Sequence, residues 1–313
     1  MKSEWLIALS TANAIVRIMI GGNSLQDEKI LYWRKGDAVQ NFGDFLSEMF
    51  IRSLFKGPKA KADRFRLIGS VIHDYIIQDD LSSIRKTRGQ EFEQSADADG
   101  LLAFWGCGAR DDNSIPPESL SHCKFYGVRG PLTRDLLGLP KDYVLGDPAL
   151  LLPLLYPGKK SSNSGPTICI AHFQDEISEV DLLKTTGVDE IVSIKIPPRL
   201  DAAYELIDRI TSASFVLTGA LHAAIVACAY NVPFAYLDTG FIDCPFKWKD
   251  FSASISTPAI FVKNIEEGKN AYSKIAGMIR KPRLAPILGM APFEPRLRVY
   301  LSALLKDQQS RFL

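Results

Sequence analysis

The chain is short of the features that announce several large functional classes. Its five cysteines (Cys107, Cys123, Cys169, Cys228, Cys244) are odd in number and scattered, with no Cys-x-x-Cys pair, which excludes a disulfide framework or a zinc ribbon and indicates a reducing compartment. It has no charge excess: 37 Lys+Arg against 36 Asp+Glu leave +1, so composition asks for neither nucleic acid nor an anionic membrane. No apolar run approaches the ~18–20 residues that span a bilayer. The opening Met1-Lys2-Ser3-Glu4-Trp5-Leu6 is a poor leader because Glu4 sits in the would-be basic region and Arg17 interrupts the apolar stretch, so a cytoplasmic protein is expected, with at most peripheral contact at the inner face of the membrane. The four histidines (His73, His122, His172, His222) show no ligand spacing, and neither a metal nor a cofactor is expected.

What remains is a 313-residue chain with 46% hydrophobic and 23% charged residues, the balance of a globular protein with room for two domains. Short apolar segments ending in glycine alternate with helical spacing. Ile30 to Arg34, Phe65 to Ile68, Leu101 to Trp105, Lys124 to Tyr126 and Tyr143 to Leu145 read as strands, and Asp44 to Phe55 as a helix. Beyond Ser161-Ser162-Asn163-Ser164-Gly165-Pro166, which reads as a linker, a second series follows. It comprises strand Thr167 to His172, a helix from Ser178 to Thr186, strand Ile191 to Ile196, a helix from Asp201 to Ala213, and the unit Phe215 to Asp238, a buried strand, a small-residue helix and a second strand. A final amphipathic helix spans roughly Glu294 to Leu305. The expected architecture is α/β, two Rossmann-like doubly wound domains facing a cleft: 1–160, 166–285, and a helical tail, 286–313, returning to the first domain.

Four segments at strand-to-helix turns could carry chemistry. In Asn41-Phe42-Gly43-Asp44, Asn41 or Asp44 suits a helix cap. In Gly127-Val128-Arg129-Gly130-Pro131-Leu132-Thr133, Arg129 stands beside free helix N–H groups, an arrangement that clamps phosphate or carboxylate. In Val144-Leu145-Gly146-Asp147-Pro148, Asp147 suits either a general base or the cap of the next helix. In Thr218-Gly219-Ala220-Leu221-His222, His222 begins a helix at the carboxyl end of a buried strand, where open parallel sheets bind ligands. Two further matches are weak. Asp97-Ala98-Asp99 copies a metal-binding pattern but has no strand before it, in the acidic loop Gln90 to Gly100; Gly106-Cys107-Gly108 lacks the third glycine of a dinucleotide fingerprint.

In this order and spacing the four segments resemble the polysaccharide pyruvyl transferase family, from Asn41 to Asp238. The resemblance implies a glycosyltransferase-B-like pair of domains that moves the enolpyruvyl group of phosphoenolpyruvate, as a ketal, onto two hydroxyls of a sugar in exopolysaccharide, capsule or other surface-glycan assembly. It implies phosphoenolpyruvate as donor and a lipid-linked oligosaccharide or other glycan as acceptor, with no particular oligomeric state. Arg129 matches the family's donor arginine and His222 its second-domain histidine. Donor contacts are then expected from Arg129, Gly130, Asn41, Gly219 and Leu221, catalysis from His222 as general acid and Asp147, and acceptor contacts from Asp44 and Trp248. Many members carry arginine, leucine and histidine in succession where this chain has Ala220-Leu221-His222, so another cation, with Arg110, Arg134 and Lys195 as candidates, must substitute or donor use has changed. The rival readings are a nucleotide-sugar-dependent glycosyltransferase of the same architecture and a non-catalytic glycan-binding protein.

Overall fold

A strand buries every side chain only when helices cover both its faces, and the all-apolar segments of this chain form such strands. The computed structural model describes residues 29–32, 38–89, 101–159 and 165–309. The N-terminal half contains β1 (Gln40–Asn41), α1 (Phe42–Leu54), β2 (Phe55–Pro58), β3 (Arg64–Arg66), β4 (Ser70–Ile72), α2 (Asp74–Arg88), β5 (Leu102–Trp105), β6 (Gly108–Ala109), α3 (Pro117–Ser121), β7 (Cys123–Tyr126) and α4 (Pro131–Leu136). β3, β5 and β7 form a parallel sheet with β5 central, and β4 pairs in parallel with β6. Alternation sorts β5 onto two faces: Leu102 and Phe104 join Ile77, Leu81 and Ile84 of α2, whereas Ala103 and Trp105 join Phe50 of α1 and Phe55.

After a 3₁₀ helix, Pro148–Leu154, the C-terminal half runs β8 (Thr167–Ile170), α5 (Glu179–Thr186), β9 (Glu190–Ile191), β10 (Lys195–Ile196), α6 (Leu200–Ser212), β11 (Phe215–Thr218), α7 (Leu221–Ala229), β12 (Phe234–Leu237), α8 (Pro245–Ser254), β13 (Phe261–Val262), α9 (Ile265–Ile275), α10 (Leu284–Met290), β14 (Phe293–Pro295) and α11 (Leu297–Gln309). Five strands form a parallel sheet in the order β13-β12-β11-β8-β9. Again one face carries Ile168, Val216 and Phe234 and the other Cys169, Leu217 and Ala235. The order reverses between β8 and β11, so the segments leaving their carboxyl ends diverge and open a crevice. α7 begins there. Eight of its nine residues are buried, the exception being His222.

A single apolar cluster crosses both halves, joining α1, the 3₁₀ helix, α6, α7 and α10. The chain end returns to the first half: β14 pairs antiparallel with β2, and Arg296 N donates to Leu54 O at 2.8 Å. Asp307 of α11 accepts from Leu284 N and Ala285 N, capping α10. The C-terminal helix therefore starts three residues later than its apolar spacing predicts, because Phe293–Pro295 is spent on the strand.

Several sequence expectations change. Tyr143 to Leu145 is no strand but a single bridge from Leu145 to Val128, and Ile30 meets Phe65 in one bridge, with Trp33 and Arg34 outside the described residues. The expected strand Ile191 to Ile196 divides because the Ser193 hydroxyl accepts from Lys195 N at 3.0 Å and turns the chain. β9 stays in the sheet; β10 leaves to pair antiparallel with β1, Asn41 opposite Lys195. That pairing fastens the start of α1 to the C-terminal half. The acidic loop, with Asp97 and Asp99, and most of the expected linker lie outside the described residues.

Candidate functional site

The crevice deepens into a cleft of about 530 Å³ between the halves. His172, just past β8, and Ala220, Leu221 and His222, at the start of α7, line one wall. Asn41 and Asp44 at the start of α1, together with Arg66, Ser70 and Arg110, line the other, and Asp243 and Lys247 close one end.

His222 is held from two sides. Gly43 of α1 lies against the ring, so close that a Cβ there would sit 2.0 Å from His222 Nδ1, and any other residue would displace the imidazole. Behind the ring is Asp147, fully buried. Its Oδ1 accepts from Ala149 N at 2.9 Å and caps the 3₁₀ helix, while its Oδ2 faces His222 Nε2 at 3.8 Å. Neither facing atom has a hydrogen-bond partner. At that distance the two are within ion-pair reach but too far apart for a hydrogen bond. Asp147 thus caps a helix with one oxygen and faces the histidine with the other.

Asn41 and Asp44 do not cap α1 as expected: Asn41 occupies the cap position without a side-chain bond to the helix, and its Nδ2 donates instead to Asp44 Oδ2 at 2.7 Å. The amide spends its donor on the carboxylate, which is drawn toward the cleft rather than onto backbone. Burial raises the Asp44 pKa above the usual carboxylate value, opposed by the Asn41 bond and by the charges of His222, Lys247 and Arg66. A desolvated carboxylate of this kind is a stronger base than an exposed one.

Two cations of the cleft share one carboxylate. Lys247 on α8 is nearly buried and bonds to Asp243 one turn earlier, and Arg110 reaches the same carboxylate at 3.4 Å. His172 Nε2 lies 3.5 Å from Asp243. Burial lowers the His172 pKa to about 4, with Lys247 adding to the effect, so its ring is neutral at pH 7. Burial also lowers that of Lys247, against the pull of Asp243. Arg66 is already held by Asp80 through two bonds of 2.6 and 2.7 Å.

Arg129 and Gly130 do not reach the cleft. The Arg129 side chain is 0% exposed, with Nη1 donating to Ser70 Oγ at 2.8 Å, Nη2 to Ala109 O at 3.2 Å, and Nε 3.4 Å from Asp250 Oδ2. Asp250 also accepts from Leu132 N and Thr133 N, each at 3.0 Å, and from Thr133 Oγ1 at 2.7 Å. The oxyanion clamp expected from the sequence is therefore built, but a carboxylate of α8 occupies it. Gly130 is the residue that lets Asp250 in, since a Cβ there would lie 2.1 Å from Asp250 O. Trp248, expected to stack on an acceptor, is 1% exposed, packed on Tyr236 and Phe261, and donates to Asp243 O. Trp248 belongs to α8, which begins at Pro245, a residue that suits the first turn of a helix. Gly219 lies behind the wall, passing close to His172 N. Of the candidate substitute cations, Arg110 lines the cleft; Arg134 binds Asp135 and Lys141 O, and Lys195 sits exposed in β10.

Sequence reading missed His172, Arg66 and Lys247. His172 was within reach of the strand-end rule that singled out His222, and the i,i+4 pair Asp243 and Lys247 was visible beside Pro245. Arg66 had no signal, since its approach depends on tertiary packing.

The family model for polysaccharide pyruvyl transferase matches residues 95–240, a span that includes Arg129, Asp147, His172 and His222 but not Asn41, Asp44 or Lys247. A curated relative, the succinoglycan biosynthesis protein ExoV of Rhizobium meliloti (strain 1021), is 26% identical over 151 residues, 48% of this chain and 45% of that protein. The chain thus matches less than half of that relative's length.

Proposed function

The resemblance to the polysaccharide pyruvyl transferase family holds over residues 95–240, and from that premise we propose that this chain transfers the enolpyruvyl group of phosphoenolpyruvate to a glycan. The product is a pyruvate ketal on two hydroxyls of a sugar in surface-glycan biosynthesis, and the architecture is a pair of Rossmann-like domains, 1–160 and 166–285, with residues 286–313 as a returning tail. The observation that carries the reading is the meeting of Asn41, Asp44 and His222, with Asp147 behind, across one cleft.

The chemistry requires a proton at the donor's methylene carbon, which becomes a methyl group and leaves C2 electrophilic. His222 supplies it. The Asp147 carboxylate stands behind the ring, Oδ2 3.8 Å from His222 Nε2. One sugar hydroxyl adds to C2 and phosphate departs with the bridging oxygen; the second hydroxyl adds, giving its proton back to the His222 imidazole, and closes the ketal. Asp44, whose pKa burial raises, takes the proton of the attacking hydroxyl, oriented by Asn41. Leu221 and Ala220 supply the apolar wall. Among the described residues no helix is long and apolar enough to cross a membrane. In this reading a lipid-linked acceptor is met at the inner face of the membrane.

Phosphate release from phosphoenolpyruvate is the test, with purified protein and a panel of lipid-linked and aryl glycosides. The expected result is release that depends on the glycoside. A thermal shift with nucleotide sugars and none with phosphoenolpyruvate would replace this reading with glycosyl transfer.

A further inference from the structure

The cleft carries both signs of charge. The His222 ring has Asp44 on the facing wall and Asp147 behind it. Lys247 and Arg110 line the same cleft and share the carboxylate of Asp243, with His172 as a third neighbour. Asp175 also acts on His172, but its carboxylate already accepts from the Thr239 hydroxyl. Both cations are partly removed from water: the Lys247 side chain is 8% exposed and that of Arg110 45%. Arg66 adds no net charge, because Asp80 grips it through two bonds, and Arg129 adds none, because Asp250 fills its clamp.

We infer that Lys247 and Arg110, bridged by Asp243 beside His172, form the oxyanion subsite of the cleft, which takes a phosphate or carboxylate group and leaves Asn41 and Asp44 for a hydroxyl-bearing partner. The elimination is electrostatic. A phosphate seated against Lys247 and Arg110 meets two cations, whereas one seated against the His222 ring meets Asp44 and the Asp147 carboxylate behind it. The same elimination explains how a donor anion is held in a chain with Ala220 at the start of α7 and a buried Arg129: the cation is supplied from α8 and from the turn after β6. Asp243 keeps Lys247 and Arg110 in place before the ligand arrives, so little side-chain entropy is lost on binding.

The identity of the donor rests on the function proposed above, but the subsite does not, and two probes separate them. Affinities for inorganic phosphate and for phosphoenolpyruvate are measured by titration calorimetry on the full chain, its Lys247→Met variant and its Arg110→Met variant, with thermal unfolding to confirm that each folds. Removing one charged partner of a bound anion is expected to weaken both ligands by about 10- to 150-fold in Lys247→Met, and by less in the more exposed Arg110→Met, while Lys247→Arg retains binding. Arg110→Met covers the case in which the α8 variant does not fold. Loss of phosphate binding in the variants, with phosphoenolpyruvate binding to none of the proteins, would uphold the subsite and sink the pyruvyl donor. Unchanged affinities in both folded methionine variants, or no binding of either probe by the parent chain, would overturn the subsite.

Discussion

Two strand-to-helix turns in this protein begin with the same sequence logic and end in opposite states. At α4, Pro131 opens a helix whose first N–H groups point at an anion, with Arg129 alongside; at α7, Leu221 and His222 open a helix whose cap residue, Ala220, has no side-chain oxygen to offer. The first turn is closed, its anion being Asp250, and Arg129, Thr133 and Asp250 are each fully buried. The second is open to the cleft, with Nε2 of His222 and Oδ2 of Asp147 facing one another unbonded. Satisfied polar groups stabilise, whereas groups left short of partners cost stability and remain available to a ligand. The first turn is a brace between the halves. The second lines the cleft.

The largest test of that contrast breaks the brace. Arg129→Met leaves the Asp250 carboxylate buried without its cation and is expected to lower unfolding stability by about 3–5 kcal/mol, read by urea titration. A loss below about 1 kcal/mol would show that the helix N–H groups and Thr133 suffice, freeing Arg129 for a ligand. At the open turn the balance reverses. His222→Gln is expected to cut phosphate release by about 10²–10⁴-fold, the range for a general acid, with the melting temperature nearly unmoved. A large stability loss with normal turnover in that variant would make His222 a core residue.

The difference between these turns is what the sequence could not show. Both read alike along the chain, since a glycine or an alanine before a helix, after a strand, says where an anion can bind but not which anion. Asp250 lies 121 residues from Arg129, on a helix whose apolar pattern gives no hint that one carboxylate turns inward. The α/β class, the strand segments Leu101 to Trp105 and Phe215 to Thr218, and the strand-end position of His222 were legible because periodicity and burial are local. Asn41 and Asp44 line the cleft, but their bonding was not legible, because the cap they resemble is set aside for a bond between their own side chains. Trp248 misled for the usual reason, a large aromatic beside charged residues, though its ring fills core.

A smaller perturbation asks how tightly the open turn is built. Gly43→Ala puts a methyl into the space of the His222 ring, and overpacking of this kind costs about 1–3 kcal/mol. Because the ring can swing into the cleft, the stability loss is expected at the low end of that range and the loss of turnover to exceed it. Alanine that leaves phosphate release untouched would mean that the ring's position against α1 is immaterial to its chemistry.

The smallest effect has the opposite sign. Asp44 has its pKa raised by burial, so the folded state holds the proton more strongly than the unfolded chain does. Below the unfolded value, about 3.9, both states are protonated and no stability is lost; as pH rises through the folded value the buried carboxylate must ionise, and the fold weakens. Above the folded value that cost is fully present. Asp44→Asn removes it, so the variant is expected to melt slightly higher than the parent at pH 7, with the gain fading as pH falls toward 4, while acceptor-dependent phosphate release declines. The closed turn admits no such gain, because Asp250 is already bonded by two backbone N–H groups and a hydroxyl and ion-paired with a guanidinium, and its amide variant can only lose. Scanning calorimetry of Asp44→Asn and Asp250→Asn from pH 4 to 7 therefore compares the turns directly: opposite signs at pH 7 uphold the division of roles, and a destabilised Asp44→Asn would make that carboxylate a structural partner like Asp250.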